Sequence, residues 1–286
     1  NLSAEDLLTG YFCFLSLLLF GAGRGDFIPF SLRIFLYSTD AFLMAFFTLI
    51  LFFNSGCDKS NMNPESQKLH LFFEAQWQQG LKDSPESATW YGDDRYNHLL
   101  NDRSLGWILE SREKTIITMK KLKAINREKL LLEDQLNYDL YHLNLERSIN
   151  GFPYHPYLIP VTQLGGVHIG LPNMVELMPF KTAKDYQNYL SRLEQIPNAI
   201  DQTIAVMKEG IKKGWVPPRI TLESVPDQIR KQFEFDSILE SPFYAPFSDN
   251  INDIDNWMEI VEKGSDLIQN GIFSSYQNFH RFFVEE

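Results

Sequence analysis

The stretch that decides the fold class runs from residue 182 to residue 214 and reads TAKDYQNYLSRLEQIPNAIDQTIAVMKEGIKKG. Thr182, followed three residues later by Asp185, is typical of a helix start, because each side chain can accept a bond from the other residue's backbone amide. Gly214 predicts the helix end, and Pro197 predicts a kink or a break inside it. Between these points apolar side chains recur at helical spacing, at Tyr186, Leu190, Leu193, Ile200, Ile204, Met207 and Ile211.

Further helices are predicted on both sides of this stretch. Asn63-Pro64-Glu65 and Ser84-Pro85-Glu86 each combine a capping side chain, a proline for the first turn and an acid near the positive end of the helix dipole. Apolar spacing predicts the others at residues 105–126, 133–149, 219–235 and 251–286. On or near one face of the helix at 133–149 lie Leu136, Leu140, Leu143 and Leu145.

Residues 152–181 have a different composition, with five prolines and three glycines. Such a density of helix breakers predicts an ordered loop region. A short strand fits only near 158–161 or 167–169, and no longer alternating pattern or internal repeat occurs. The sequence therefore predicts an all-α fold with a Pro/Gly-rich loop region and at most short strands.

The charge of the chain argues against nucleic acid as a partner. The net charge is −11, and no stripe of Lys and Arg interleaved with aromatic residues occurs. The basic run from Lys114 to Lys129 has apolar residues at helical spacing, which indicates a solvated helix face. The two cysteines are Cys13 and Cys57, so the sequence after Cys57 can form neither a disulfide framework nor a cysteine-based metal site.

Two apolar runs near the N-terminus, residues 11–20 and 41–53, are both too short to span a bilayer. The second has the length of a signal-peptide core and leads into Ser55-Gly56-Cys57, an order that resembles a bacterial lipoprotein signal. Asn54 and the weak basic region before the run depart from that pattern. A cleaved secretory signal, a signal anchor and a buried helix are therefore the alternatives.

The interpretation of Cys57 as a lipoprotein signal site divides the chain at residue 57. Residues 1–57 are interpreted as upstream translation plus a signal or lipoprotein segment, and residues 58–286 as the helical part. A lipid on Cys57 would hold the protein at a membrane surface. The predicted location is the bacterial cell envelope, either periplasmic or membrane-anchored.

The sequence contains no complete catalytic motif. His-Glu-x-x-His, Gly-x-Ser-x-Gly, a phosphate loop and a dinucleotide fingerprint are all absent, so no catalytic or metal-binding residue is assigned. The best candidates are Gln163, Gly165, Gly166 and His168. The glycines allow a backbone to approach a ligand, and Gln163 and His168 could donate to a peptide carbonyl. A tight turn with His168 inside the fold is the alternative.

Five segments in order carry a resemblance to a known family. They are SPESATWYGD (84–93), EDQLNYDL (133–140), QLGGVHI (163–169) with LMPF (177–180), GIKKGWVPPR (210–219) and SPFYAPF (241–247). Their order and spacing resemble the bacterial domain-of-unknown-function 885 family over about residues 65–286. The sequence departs from the family pattern at Leu132, before Glu133-Asp134, because a small polar cap is expected one or two residues earlier. This departure affects only the start of that helix.

The resemblance implies a longer, mainly helical, zincin-like peptidase whose His-Glu-x-x-His zinc motif lies in its C-terminal half. This chain would then be an N-terminal part, truncated before the zinc ligands and inactive alone. It would form one wall of a channel for a peptide substrate, and Gln163, Gly165, Gly166 and His168 are the candidate channel residues. The alternative is a non-catalytic helical lipoprotein that binds peptides or a partner protein.

Overall fold

The computed structural model describes residues 63–248 and 251–286, and residues 62–286 form one compact unit. The described part consists of α-helices, 3-10 turns and loops, and its one β-pairing is an isolated bridge between Thr162 and Gly165. The all-α prediction is confirmed. Within these residues no helix has the length and apolarity to cross a bilayer. The apolar runs at 11–20 and 41–53, and Cys57, lie outside the described residues.

The α-helices follow one another along the described chain. They are α1 (Pro64–Asp83), α2 (Pro85–Trp90), α3 (Leu105–Lys123), α4 (Leu132–Gly151), α5 (Val167–Met174), α6 (Ala183–Lys213), α7 (Val225–Arg230), α8 (Trp257–Asp266) and α9 (Phe273–Glu285). A π-helical turn, Leu267–Ile272, joins α8 to α9 without a break.

Two of the predicted helix caps form, whereas the Ser84 side chain makes no capping bond at the start of α2. The Asn63 side chain accepts a bond from the Ser66 amide, and Thr182 and Asp185 form a reciprocal capping box at the start of α6. Gly214 ends α6 in the left-handed conformation. Helix α6 continues through Pro197, so the predicted break does not occur. The packing of its long apolar face outweighs the one backbone bond that a proline removes.

The main core forms where α6 packs against the α8–α9 rod. Tyr189, Leu193, Ile196 and Ile200 of α6 are fully buried in it, and so are side chains of the π-helical turn and α9. The members from the rod are Ile268, Ile272, Tyr276 and Phe279. This packing makes α6 the central helix of the unit.

A smaller core lies between α1, the end of α3 and α4. Leu69, Leu122, Ile125, Leu130 and Tyr138 are buried in it. The leucine face noted in the sequence of α4 does not belong to this core as a whole. Of its four residues only Leu145 packs against it, and the other three leucines are exposed. Helix α4 therefore has a second apolar face.

The Pro/Gly-rich region contains more helix than the sequence predicts. Residues 152–181 include α5 and 3-10 turns at Phe152–Tyr154, Pro156–Leu158 and Val175–Leu177. The strand expected near 158–161 or 167–169 is absent from this described region, because the first range begins at the end of a 3-10 turn and continues as loop, and the second begins α5. Pro172 is tolerated inside α5 because a proline in the second turn disturbs few helix bonds.

Candidate functional site

A cleft of about 620 Å³ lies between α3, α6 and the turn that precedes α5. Its volume falls within the range of small-ligand and peptide pockets, roughly 300–1,000 Å³. Helix and loop segments far apart in sequence build its walls. The lining residues are Asp83, Ser84, Asn101, Asp102, Arg103, Trp107, Ile108, Ser111, Pro160, Gly166, Val167, Thr203 and Val206.

Gly166 forms the part of the wall just before α5. Its φ of +139° and ψ of 178° fall in a region that is essentially reserved for glycine. A Cβ at this position would lie 3.0 Å from His168 Nδ1 and 3.2 Å from the Pro160 carbonyl oxygen. The glycine therefore lets the backbone turn tightly over His168 while it faces the cleft.

His168 lies beneath this turn and is 1% exposed. Gln228 links it to the turn, since the Gln228 amide donates to the Gln163 carbonyl at 3.1 Å and its oxygen lies 3.2 Å from His168 Nε2. This orientation requires His168 to carry its proton on Nε2, which leaves the buried Nδ1 as an acceptor with no partner in the described structure. Burial lowers the pKa of His168, because the charged ring would lose its water.

The four candidate residues therefore lie in different environments. Gly166 lines the cleft, whereas His168 supports the turn from inside. The Gln163 side chain is exposed, and Gly165 pairs with Thr162 through its backbone, with the Thr162 amide donating to the Gly165 carbonyl at 2.8 Å. Gln163, Gly165 and His168 do not line the cleft itself.

Another wall is formed by residues 101–103, the end of the segment 98–103, which side chains of α6 hold by its backbone. Arg192 Nε donates to the Leu99 carbonyl at 2.9 Å, and Gln195 Nε2 donates to the His98 carbonyl at 2.8 Å. Gln195 also accepts from the Leu100 amide at 3.1 Å, and Gln202 accepts from the Arg103 amide at 2.8 Å. One polar face of α6 therefore fixes the path of this segment.

A second set of bonds joins the same segment to the start of α2. Glu86 and Asn101 bond reciprocally: the Glu86 amide donates to the Asn101 side chain at 3.1 Å, and the Asn101 amide donates to Glu86 at 2.9 Å. Arg103 donates to both Glu86 carboxylate oxygens at 2.8 Å. These bonds fix the Arg103 side chain at the cleft wall and neutralise its charge.

Arg192 is the most unusual residue of this framework, because it is fully buried and its hydrogen bonds go to neutral groups. Its Nη2 donates to the Thr89 hydroxyl oxygen at 2.6 Å and to the Pro85 carbonyl at 3.3 Å. Burial lowers the pKa of Arg192 to about 10, with Glu86 acting against that shift. The guanidinium stays charged at neutral pH and joins α2 to α6.

The rim of the cleft carries two carboxylates with different surroundings. Asp83 lies 3.5 Å from Lys114 Nζ, which also sits 3.9 Å above the Trp107 ring. Asp102 accepts a bond from the Ser104 amide at 2.8 Å and is exposed. The rest of the lining is mostly small hydroxyl and apolar side chains, so the cleft offers hydrogen bonds and apolar contact to a ligand.

The cleft has the features of a binding site. Its lining residues include no His, Cys or Lys. In residues 63–248 and 251–286, no three His, Cys, Asp or Glu side chains form a group that could hold a metal ion. These described residues therefore do not fit a zinc centre, and no catalytic step is assigned to them.

The sequence signals found one part of this site and missed the other. Gly166 was detectable because paired glycines mark a special backbone. Asn101, Arg103 and Arg192 gave no signal, since a charged or amide residue in a helical or loop sequence looks like ordinary surface. Glu86 was noted only as the acid of a helix start, and its bonds to Asn101 and Arg103 were not predicted.

A family profile for bacterial proteins of unknown function, DUF885, matches residues 85–286, which is most of the chain. The chain belongs to this family. Its match includes α2, both walls of the cleft and the main core. No curated protein matches the sequence.

Among solved structures, the fold is similar to one described as "the putative lipoprotein from Colwellia psychrerythraea". The TM-score is 0.67 at 18% identity, and the match covers 78% of this chain and 42% of that one. The two proteins share a fold over this region, and this DUF885 chain spans less than half the length of the Colwellia chain.

Proposed function

We propose that this chain is the N-terminal part of an envelope-associated zinc peptidase and that its cleft forms one wall of the peptide channel. The observation that carries the proposal is the convergence of two family segments on one cleft. Ser84 comes from the segment 84–93, and Gly166 and Val167 come from the segment 163–169. Segments so far apart in sequence need not share a pocket for packing alone.

The chemistry of the wall suits an extended peptide. Hydroxyl and amide groups of Ser84, Asn101 and Ser111 offer hydrogen bonds to a main chain, and Trp107 and Ile108 offer apolar contact to side chains. The zinc and its activated water would be supplied by residues outside the described part. A lipid on Cys57 would place the protein at an envelope membrane.

The first experiment tests the enzyme. The longer reading frame should encode His-Glu-x-x-His, and its product should hydrolyse peptides in a way that chelators abolish and zinc restores. Residues 58–286 alone, which keep the whole compact unit, should show no turnover. A longer product without that motif, or with hydrolysis that chelators do not affect, contradicts the proposal.

The second experiment tests the cleft. Ser111→Trp fills the cleft from α3, while Glu113→Trp adds the same ring to the exposed face of the same helix. In the longer product, Ser111→Trp should reduce kcat/KM, and Glu113→Trp should leave it unchanged. Equal activity of the two variants would show that the cleft is not part of the peptide channel.

The hydroxyl, amide and apolar lining of the cleft also suits one alternative, a non-catalytic lipoprotein that binds peptides or a partner protein. In that case residues 58–286 should bind peptides in a calorimetric titration, and Ser111→Trp should abolish the binding. The longer product would then bind peptides without cleaving them.

A further inference from the structure

Helix α4 has apolar side chains on two opposite faces. Tyr138 and Leu145 are on the face that packs into the smaller core. The other face carries leucines at intervals of four, four and three residues, a spacing that aligns them along the helix. These four, called here the leucine stripe, are Leu132, Leu136, Leu140 and Leu143, and they are 85, 59, 53 and 38% exposed.

Single exposed leucines are common on protein surfaces, but an aligned row on one helix is the pattern of a docking face. Glu133 and Glu146 lie along the two edges of the leucine stripe and are exposed. Neither makes an ion pair with another residue of the described chain. The exposed Arg147, four residues after Leu143, lies at the C-terminal end of the same face. A complementary partner would therefore present an apolar helix face edged by Lys or Arg, with an acid opposite Arg147.

We propose that the leucine stripe is the interface for a helix in the part of the family domain that follows Glu286 in the longer protein. This inference shares with the proposed function the premise of a longer chain, but it needs neither zinc nor peptide hydrolysis. Its support is that this chain spans 42% of the Colwellia chain, so more than half of that protein lies outside the shared region.

A second copy of the chain fits the leucine stripe less well. Stable interfaces between separate proteins use roughly 20–30 residues on each side. Four leucines on one helix are far fewer. A helix tethered to the same chain docks at a high effective concentration, so a small surface is sufficient.

The test compares one double variant in two proteins. Leu136→Glu/Leu140→Glu should leave the thermal stability of residues 58–286 unchanged, because both side chains are exposed there. In the longer protein the same change should weaken docking by more than ~10-fold, since two leucines lose their apolar contacts. Faster hydrogen exchange along α4 and faster proteolysis between the two parts would report this loss.

Asn144→Glu/Ser148→Glu is the matched control, because it adds the same charge to exposed positions of α4 outside the leucine stripe. It should not change exchange or proteolysis in the longer protein. If both double variants behave alike there, or if the gene ends at Glu286, the proposal is wrong.

Other occupants give different results in residues 58–286. A second copy predicts a dimer mass in light scattering that Leu136→Glu/Leu140→Glu abolishes. A membrane surface predicts flotation with phosphatidylethanolamine and phosphatidylglycerol vesicles that the same variant abolishes. Either result overturns the proposal. A longer protein that shows the docking effect but lacks His-Glu-x-x-His would support the interface while the proposed peptidase fails.

Discussion

Arg192 should contribute more to stability than any surface cation of this chain. Its two shortest bonds, to the Thr89 hydroxyl at 2.6 Å and the Leu99 carbonyl at 2.9 Å, are charge-assisted, and the first is buried while the second is partly buried. Bonds of that kind contribute about 1.5–3 kcal/mol each. In Arg192→Met the charge no longer has to be desolvated, but the buried acceptors lose their donor. We expect a net loss of about 1–3 kcal/mol, the cost of leaving buried neutral acceptors without their donor.

Urea denaturation of residues 58–286, followed by circular dichroism, measures this loss. Arg219→Met, at an exposed position, should change stability by less than ~0.5 kcal/mol. Arg192→Lys should recover only part of the loss, because an ammonium cannot reproduce the planar fork of donors. A loss of less than ~1 kcal/mol for Arg192→Met would refute the view that this side chain holds α2 and the 98–103 segment on α6.

Three further predictions concern the turn before α5. Gly166→Ala should destabilise the unit by about 1–3 kcal/mol in the same urea assay, because a Cβ is strained at φ +139°; an unchanged midpoint would contradict the glycine requirement. The pKa of His168 is lower in the folded chain than in the unfolded chain. At a pH between these two pKa values the unfolded chain binds more protons, so the folded state loses stability as the pH is lowered through that range. His168→Gln should flatten this dependence between about pH 7.5 and pH 5.5, and equal slopes would contradict the assignment. Tyr276→Phe removes the buried donor to the Val167 carbonyl at 3.0 Å and should cost about 1–3 kcal/mol of unfolding free energy; a neutral result would indicate that the carbonyl finds another donor.

The helix starts could be predicted from the sequence because capping is local. Asn63 and Thr182 need only their own next turn to act as caps, and both do so in the structure. The exposure of the leucines on α4 could not be predicted, because spacing identifies an apolar face without telling whether anything covers it. Helix α5 was not predicted, because its Gly-Gly start and its internal Pro172 are typical of a loop. The helix forms because the neighbouring core buries most of its side chains.

The site was predictable only where it depends on an unusual backbone. Gly166 could be singled out because few roles other than a tight turn or a close approach require paired glycines. The bonds of Arg192 and Gln202 join residues about a hundred positions apart, so local spacing carries no trace of them. The cleft is a product of tertiary packing, and its lining could not have been assembled from motifs.

The side chains of α6 bind segment 98–103 through its main-chain atoms: the carbonyls of His98 and Leu99 and the amides of Leu100 and Arg103. Any amino acid except proline supplies these groups. Over evolution the side chains of this cleft wall can therefore change while its path stays fixed, provided that α6 keeps Arg192, Gln195 and Gln202, which make these four bonds. Such a scaffold would let relatives alter what the cleft accepts without rebuilding the fold around it.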